Sequence, residues 1–178
     1  DYSSLPFRGF LSNITVRQFE ESLLHHLPVF ISGKDFYERY QVSIDQVTMI
    51  DVEKNYQVRQ CAAHPVYENE RVFQFRNFLV DLHAHPNHPE RNILLKRMGE
   101  LMYQSHKSYS LCGLGSDRTD EIVALASIAP GVYGAKITGG GNGGTVVLLV
   151  NEEGKKSAHR IHQQLCEKYK GDLMLFES

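Results

Sequence analysis

The residues best able to do chemistry lie together in the stretch Lys136-Ile137-Thr138-Gly139-Gly140-Gly141-Asn142-Gly143-Gly144-Thr145. Five of the chain's 14 glycines fall within it. A residue without a Cβ admits positive φ, so successive backbone N–H groups can turn toward one anion. Thr138 and Thr145 add hydroxyls that could reach phosphate oxygens or a metal-bound water. Lys136, on the strand entering the loop, can either lend charge to a phosphate or lie solvated on the strand. A tight hairpin needs one or two glycines. A run of five raises the entropy of the unfolded chain without a packing return, which favours a loop built to lie beside phosphate.

The flanking elements decide which kind of phosphate loop this is. No Lys-Ser/Thr follows the last glycine, so the loop is not a Walker A loop. Gly139, Gly141 and Gly144 spell GxGxxG, but the dinucleotide form needs a helix next, whereas Thr145–Val150 reads as a strand. The protein-kinase form needs HRD and DFG motifs, and neither occurs.

Other chemically able residues carry weaker signals. His83, His85 and His88 with Asp81 have ligand-like spacing, but Pro86, Pro89 and the lack of cysteine partners favour a solvated loop, and no metal site is expected. Asp117 and Asp120 suit the first turn of a helix, where the dipole favours carboxylates. Cys112 reads as packing, since no base with its orienting group can be read around it. No residue of this chain is assigned as catalytic.

Thr15 with Gln18 three residues on is a capping-box signature. Behind it Val16, Phe19, Leu23 and Leu27 repeat at helical spacing up to Pro28. A short helix is expected at Asp35–Tyr40, and mostly irregular chain over 41–65 with a strand at Tyr56–Arg59. A helix over Pro65–Leu82 should bury Val72, Phe75, Leu79 and Leu82. Another from Arg91 to about Ser108 should bury Leu94, Met98, Leu101, Met102 and Ser105. A helix starting at Asp117 turns Ile122, Val123, Ala126 and Ala129 inward and stops at Pro130. Strands follow at Val132–Thr138 and Thr145–Val150, the second apolar on both faces and therefore expected to be central. A helix ending near Gly171 and a last strand, Leu173–Phe176, complete an α+β order.

The 178 residues suit one domain, or one with an arm. With 42% hydrophobic and 22% charged residues and a net charge of −2, the chain is neither disordered nor a basic binder of nucleic acid or anionic membrane. Its apolar runs are too short to span a bilayer. Cys61, Cys112 and Cys166, an odd set without CxxC spacing, read as reduced thiols in a cytoplasmic protein.

Gly134-Ala135-Lys136-Ile137-Thr138-Gly139-Gly140-Gly141-Asn142-Gly143-Gly144-Thr145 resembles the third conserved motif of the GHMP kinases. Met98-Gly99-Glu100-Leu101-Met102-Tyr103-Gln104-Ser105-His106 and Cys112-Gly113-Leu114-Gly115-Ser116-Asp117 resemble the L-arabinokinase and galactokinase branch of that family. So do His64-Pro65-Val66-Tyr67-Glu68-Asn69-Glu70-Arg71-Val72 and the Leu27-Pro28…Ser32-Gly33 segment. The similarity runs over about residues 10–150 and is strongest from 98 to 146.

The resemblance implies a ferredoxin-like α+β sandwich, with a small, mostly antiparallel sheet and helices packed on one face, forming one wall of an active-site cleft. Thr138, Gly139, Gly140, Gly141, Asn142, Gly143 and Gly144 would lie beside the ATP phosphates. His106, Tyr109 and Lys136 would face the cleft, although a packed or capping role is the other reading of His106 and Tyr109. The family's N-terminal motif and its main phosphate loop, Pro followed by Gly-Leu-Ser-Ser-Ser, do not occur in this sequence, and the catalytic aspartate normally lies in that half. The chain therefore reads as a fragment of a longer kinase, with an N-terminal arm and helical extension over 1–55 and the C-terminal domain over 56–178. ATP with Mg2+, an L-arabinose- or galactose-like sugar and its own N-terminal kinase domain are the implied partners, with no nucleic acid or membrane. Alone the fragment should be inactive, and apolar surface left uncovered would favour homodimers. A non-catalytic ligand-binding or regulatory module derived from a GHMP kinase is the alternative.

Overall fold

The computed structural model describes residues 6–43, 47, 49–171 and 173–177, and the chain divides into two compact units, Asp1–Glu70 and Arg71–Ser178. Of the expected N-terminal arm, residues 1–5 lie outside the described residues, as do 44–46 and 48 of the expected irregular stretch. In the first unit, Thr15 closes the capping box that its spacing predicts. Its Oγ1 accepts from the Gln18 N–H at 3.2 Å, and Gln18 Oε1 accepts from the Thr15 N–H at 3.1 Å. The helix behind it, α1 (Val16–Ser22), is shorter than expected and gives way to a 3-10 turn at Leu24–His26. Residues three apart eclipse in such a turn, so Leu24 and Leu27 both reach the cluster of Ile14, Phe19, Ala63 and Val66.

A two-residue ladder follows, β1 (Ile31–Ser32) against β2 (Asn55–Tyr56), with α2 (Gly33–Tyr40) capped by Ser32 Oγ. The strand expected over Tyr56–Arg59 stops at Tyr56, and α3 (Val58–Ala84) starts at once, so that Pro65 lies inside a helix. Proline has no N–H to offer the Cys61 carbonyl. Burial of its neighbours Ala63 and Val66 against Ile14 and Phe19 offsets that loss.

In the second unit the later part of α3 buries Leu82 and partly buries Phe75 and Phe78, while Val72 and Leu79, expected inside, are exposed. Two apolar stripes compete on this helix, and the one carrying two aromatic rings goes to the core. After the His85–Pro89 loop, α4 (Arg91–Leu111) buries Leu94, Met98, Met102 and Ser105. The next helix, α5 (Asp117–Ser127), buries Val123 and Ala126; its cap is Ser116, one residue before the expected start. The strands β3 (Val132–Thr138) and β4 (Thr145–Val150) pair antiparallel, with Ala135 opposite Leu148 and Ile137 opposite Val146. These residues share one sheet face, and Ala135, Val146 and Leu148 pack with Val123, Ala126 and Ile161 of α6 (Glu152–Tyr169). The architecture is α+β.

Two expectations at the C-terminal end fail together. Leu173–Phe176 forms no strand, and the Leu173 carbonyl is met instead by Nε2 of His162 on α6 at 2.7 Å. Consequently β4, expected to be central, has one strand neighbour among the described residues. Its apolar character has another cause. Val146 and Leu148 pack with Ala135, Val123 and Ala126, and Leu149 packs with Leu82, Leu94 and Met98. The left-handed residue ending α6 is Lys170, not Gly171. Among the described residues no helix is long and apolar enough to cross a membrane.

Candidate functional site

The β3–β4 pairing brings Thr138 opposite Thr145 and leaves residues 139–144 as the connecting loop. Five of its six residues have positive φ: Gly139 (86°), Gly141 (88°), Asn142 (57°), Gly143 (117°) and Gly144 (99°). Asparagine is among the side chains that tolerate this region best. The loop is fastened on one side. The Asn142 N–H donates to the Leu114 carbonyl at 2.6 Å, in the turn between α4 and α5, and Tyr109 Oη donates to the Gly139 carbonyl at 3.4 Å. At Gly141 a Cβ would stand 2.6 Å from Leu114 Cβ and 2.7 Å from its carbonyl oxygen, so this glycine permits the close approach.

Gly140 differs. Its φ is not positive, and nothing lies within 4 Å of where its Cβ would be. Neither backbone conformation nor internal packing requires glycine there. The positions of Gly139, Gly143 and Gly144 are equally open. The loop thus has a fastened edge at Gly141–Asn142 and an open edge without side chains, a shape that lets an external group approach backbone N–H donors.

Next to the strand entering the loop lies a polar arrangement that joins the buried His106 ring to a half-exposed Asp120. His106 on α4 is 8% exposed; its Nδ1 accepts from the Ile137 N–H at 3.3 Å, and its Nε2 lies 3.2 Å from Asp120 Oδ1. Because Nδ1 accepts, the neutral ring carries its proton on Nε2 and donates it to the carboxylate. Asp120, in the first turn of α5, also accepts from Ser110 Oγ at 3.3 Å. Burial pushes the His106 imidazole below its usual pKa; Asp120 pulls it up, and Lys136 adds to the lowering. Lys136 Nζ lies 5.6 Å from the centroid of the Tyr109 ring, within cation–π range.

The structure thus gathers His106, Tyr109 and Lys136 beside the strand that enters the loop, with Thr138 exposed at its start. His106 takes a buried place between α4 and β3. Two participants were not candidates on residue type: Leu114, quoted above only as part of a motif, acts through its backbone carbonyl, and Ser110 donates to Asp120. Elsewhere, Asp81 holds His85 Nδ1 at 3.0 Å and His88 Nε2 at 3.5 Å, while His88 Nδ1 accepts from the Glu90 N–H at 3.0 Å. These three side chains are a hydrogen-bonded loop. Among the described residues no group of three or more His, Cys, Asp or Glu side chains could hold a metal ion.

Residues 91–171, which include α4, the loop and α6, match the family model described as GHMP kinases C terminal. These residues form a GHMP kinase C-terminal domain. The chain is 38% identical over 167 residues to an L-arabinokinase of Arabidopsis thaliana, an alignment covering 89% of the chain and 15% of the relative. It is 32% identical over 180 residues to a galactokinase of Thermotoga petrophila, covering 96% of the chain and 47% of the relative. A galactokinase of Chloroflexus aggregans is 46% identical over 59 residues, which is 32% of the chain and 15% of that protein. The chain therefore spans less than half the length of these relatives, and the GHMP domain carries the loop described above.

Proposed function

We propose that this chain is the C-terminal part of a cytoplasmic, ATP-dependent sugar kinase, acting on an L-arabinose- or galactose-like monosaccharide, and that Gly139–Gly144 lies beside the ATP phosphates. The observation that carries the reading is Gly140, a glycine with no internal reason to be one in a loop whose open edge is bare backbone. Membership of the GHMP domain family and the sugar kinases among its relatives support the substrate class. Phosphoryl transfer depends on positioning and on neutralising charge that spreads over the phosphate oxygens. In this reading the loop N–H groups bind phosphate oxygens on the open side, Lys136 adds positive charge at the strand end, and Thr138 offers a hydroxyl. Mg2+ accompanies ATP in this reading. The catalytic base belongs to the remainder of the polypeptide, and the 178-residue chain alone does not turn over.

The test is ADP release with Mg-ATP against a panel of pentoses and hexoses. The native polypeptide containing this chain and the 178-residue chain are assayed in parallel. Turnover of one sugar by the former and none by the latter is the expected result. A folded native polypeptide that is silent on every sugar overturns the sugar-kinase reading in favour of a binding module.

A further inference from the structure

The arrangement next to the strand entering the loop has a function of its own. We propose that His106 is a positioning residue for the glycine loop: as the Nε2–H tautomer it grips the backbone of Ile137, two residues before Gly139, and takes its own orientation from Asp120. The proposal rests on the phosphate-binding reading of the loop.

Three observations carry it. First, His106 contacts backbone, so it sets the path of β3 into the loop whatever the strand's side chains are. Second, the ring is specified at both nitrogens. A proton on Nδ1 would set two donors against each other, His106 Nδ1–H and Ile137 N–H, and the grip would be lost. Third, space is reserved for the pair: a Cβ on Gly115 would lie 2.8 Å from Ser110 Oγ and 3.0 Å from Asp120 Oδ1. The loop and the strand entering it are thereby held at three points, Ile137 by His106, Gly139 by the Tyr109 hydroxyl and Asn142 by the Leu114 carbonyl. The charged groups facing the ring are Asp120 from α5, which favours the imidazolium, and Lys136 from β3, which opposes it; burial also opposes it. Tyr109 and Ser110 stand one turn further along α4.

The experiment combines NMR of the 178-residue chain with kinetics of the native polypeptide. In the wild-type chain near neutral pH, ring 15N shifts should show Nε2 protonated and Nδ1 bare. His106→Leu should speed exchange of the Ile137 amide roughly five- to tenfold, the loss of one hydrogen bond. It should raise KM for ATP by a similar factor, with kcat changed less. His106→Asn, whose Oδ1 falls near the Nδ1 position, should restore the protection and most of the KM. A ring protonated on Nδ1 overturns the proposal. So does a His106→Leu protein with unchanged Ile137 exchange and unchanged KM for ATP. If His106→Leu does not fold, the wild-type ring shifts and the Asn variant decide. If the native polypeptide phosphorylates no sugar, the kinase reading fails, while Ile137 exchange and the ring tautomer still decide whether His106 holds the strand.

Discussion

Gly99 of α4 and Gly134 of β3 meet backbone to backbone. A Cβ on Gly99 would stand 1.7 Å from the Tyr133 carbonyl oxygen, and one on Gly134 would stand 2.4 Å from Gly99 Cα. Helix and strand run in the same direction from this point, since His106, two turns beyond Gly99, meets Ile137, three residues beyond Gly134. The contact of two residues without side chains therefore sets the distance over which an imidazole can reach a strand amide.

Gly99→Ala tests that relationship. The methyl group has only backbone to push against, so the helix must lift from the strand, at a cost of about 3 kcal/mol, the upper part of the range for overpacking. Urea denaturation should show a midpoint clearly below wild type. An unchanged midpoint would mean that the close approach is not present in solution.

Two substitutions in the loop should behave oppositely. Gly140→Val meets no neighbour and no positive φ, so the variant should melt with wild type while turnover of the native polypeptide falls by a factor of ten or more, about 1.4 kcal/mol of transition-state binding. Gly141→Ala meets Leu114 at a φ of 88° and should lose roughly 1–3 kcal/mol of stability. Thermal melts of the two variants beside ADP-release rates separate the effects. Wild-type turnover by Gly140→Val would remove the phosphate role.

The His106 titration gives the stability a pH dependence of known sign. Its pKa in the folded chain is lowered below the ordinary imidazole value of about 6.5, mainly by burial. Between the two values the unfolded chain holds a proton that the folded chain does not. The stability is therefore fully present above about 6.5 and is lost as pH falls toward the folded value. His106→Asn should flatten this part of the profile. Urea midpoints at about pH 7.5 and 5.5 for both proteins check it, because the other histidines contribute equally to both and cancel in the difference.

Ser116 caps α5 with the Thr119 N–H, and the two side-chain oxygens lie 2.9 Å apart. Ser116→Ala should cost about 1 kcal/mol. Because Asp120 stands in the turn so capped, the variant should also shift the His106 ring resonances. A stability loss with unmoved His106 signals would show that the cap does not help to place Asp120.

Much of the second unit was legible because its signals are local. The bounds of β3 and β4 follow from glycine, proline and apolar runs, and the buried stripe of α4 follows from its period. Pro65 reads as a helix start because proline at a helix start and proline tolerated inside a packed helix look alike without the neighbouring core. Val72 and Leu79 read as inward because two apolar stripes share one helix and only packing chooses between them. The loop was visible from its composition. Its fastening was not: the Leu114 carbonyl has no signature in residue type, and the His106–Asp120–Ile137 contacts join residues 14 and 31 apart.

β4 carries one further consequence. Thr145-Val146-Val147-Leu148-Leu149-Val150 contains no charge and no proline, Val147 is 44% exposed, and among the described residues the strand has a neighbour on one side only. Natural sheets guard such edges with lysines, prolines, bulges or a covering segment, because an open row of amides recruits further strands. Whatever shields this edge in the native polypeptide also acts against aggregation. Preparations from which that shield is missing should be lost to edge-to-edge polymerisation before they are lost to unfolding.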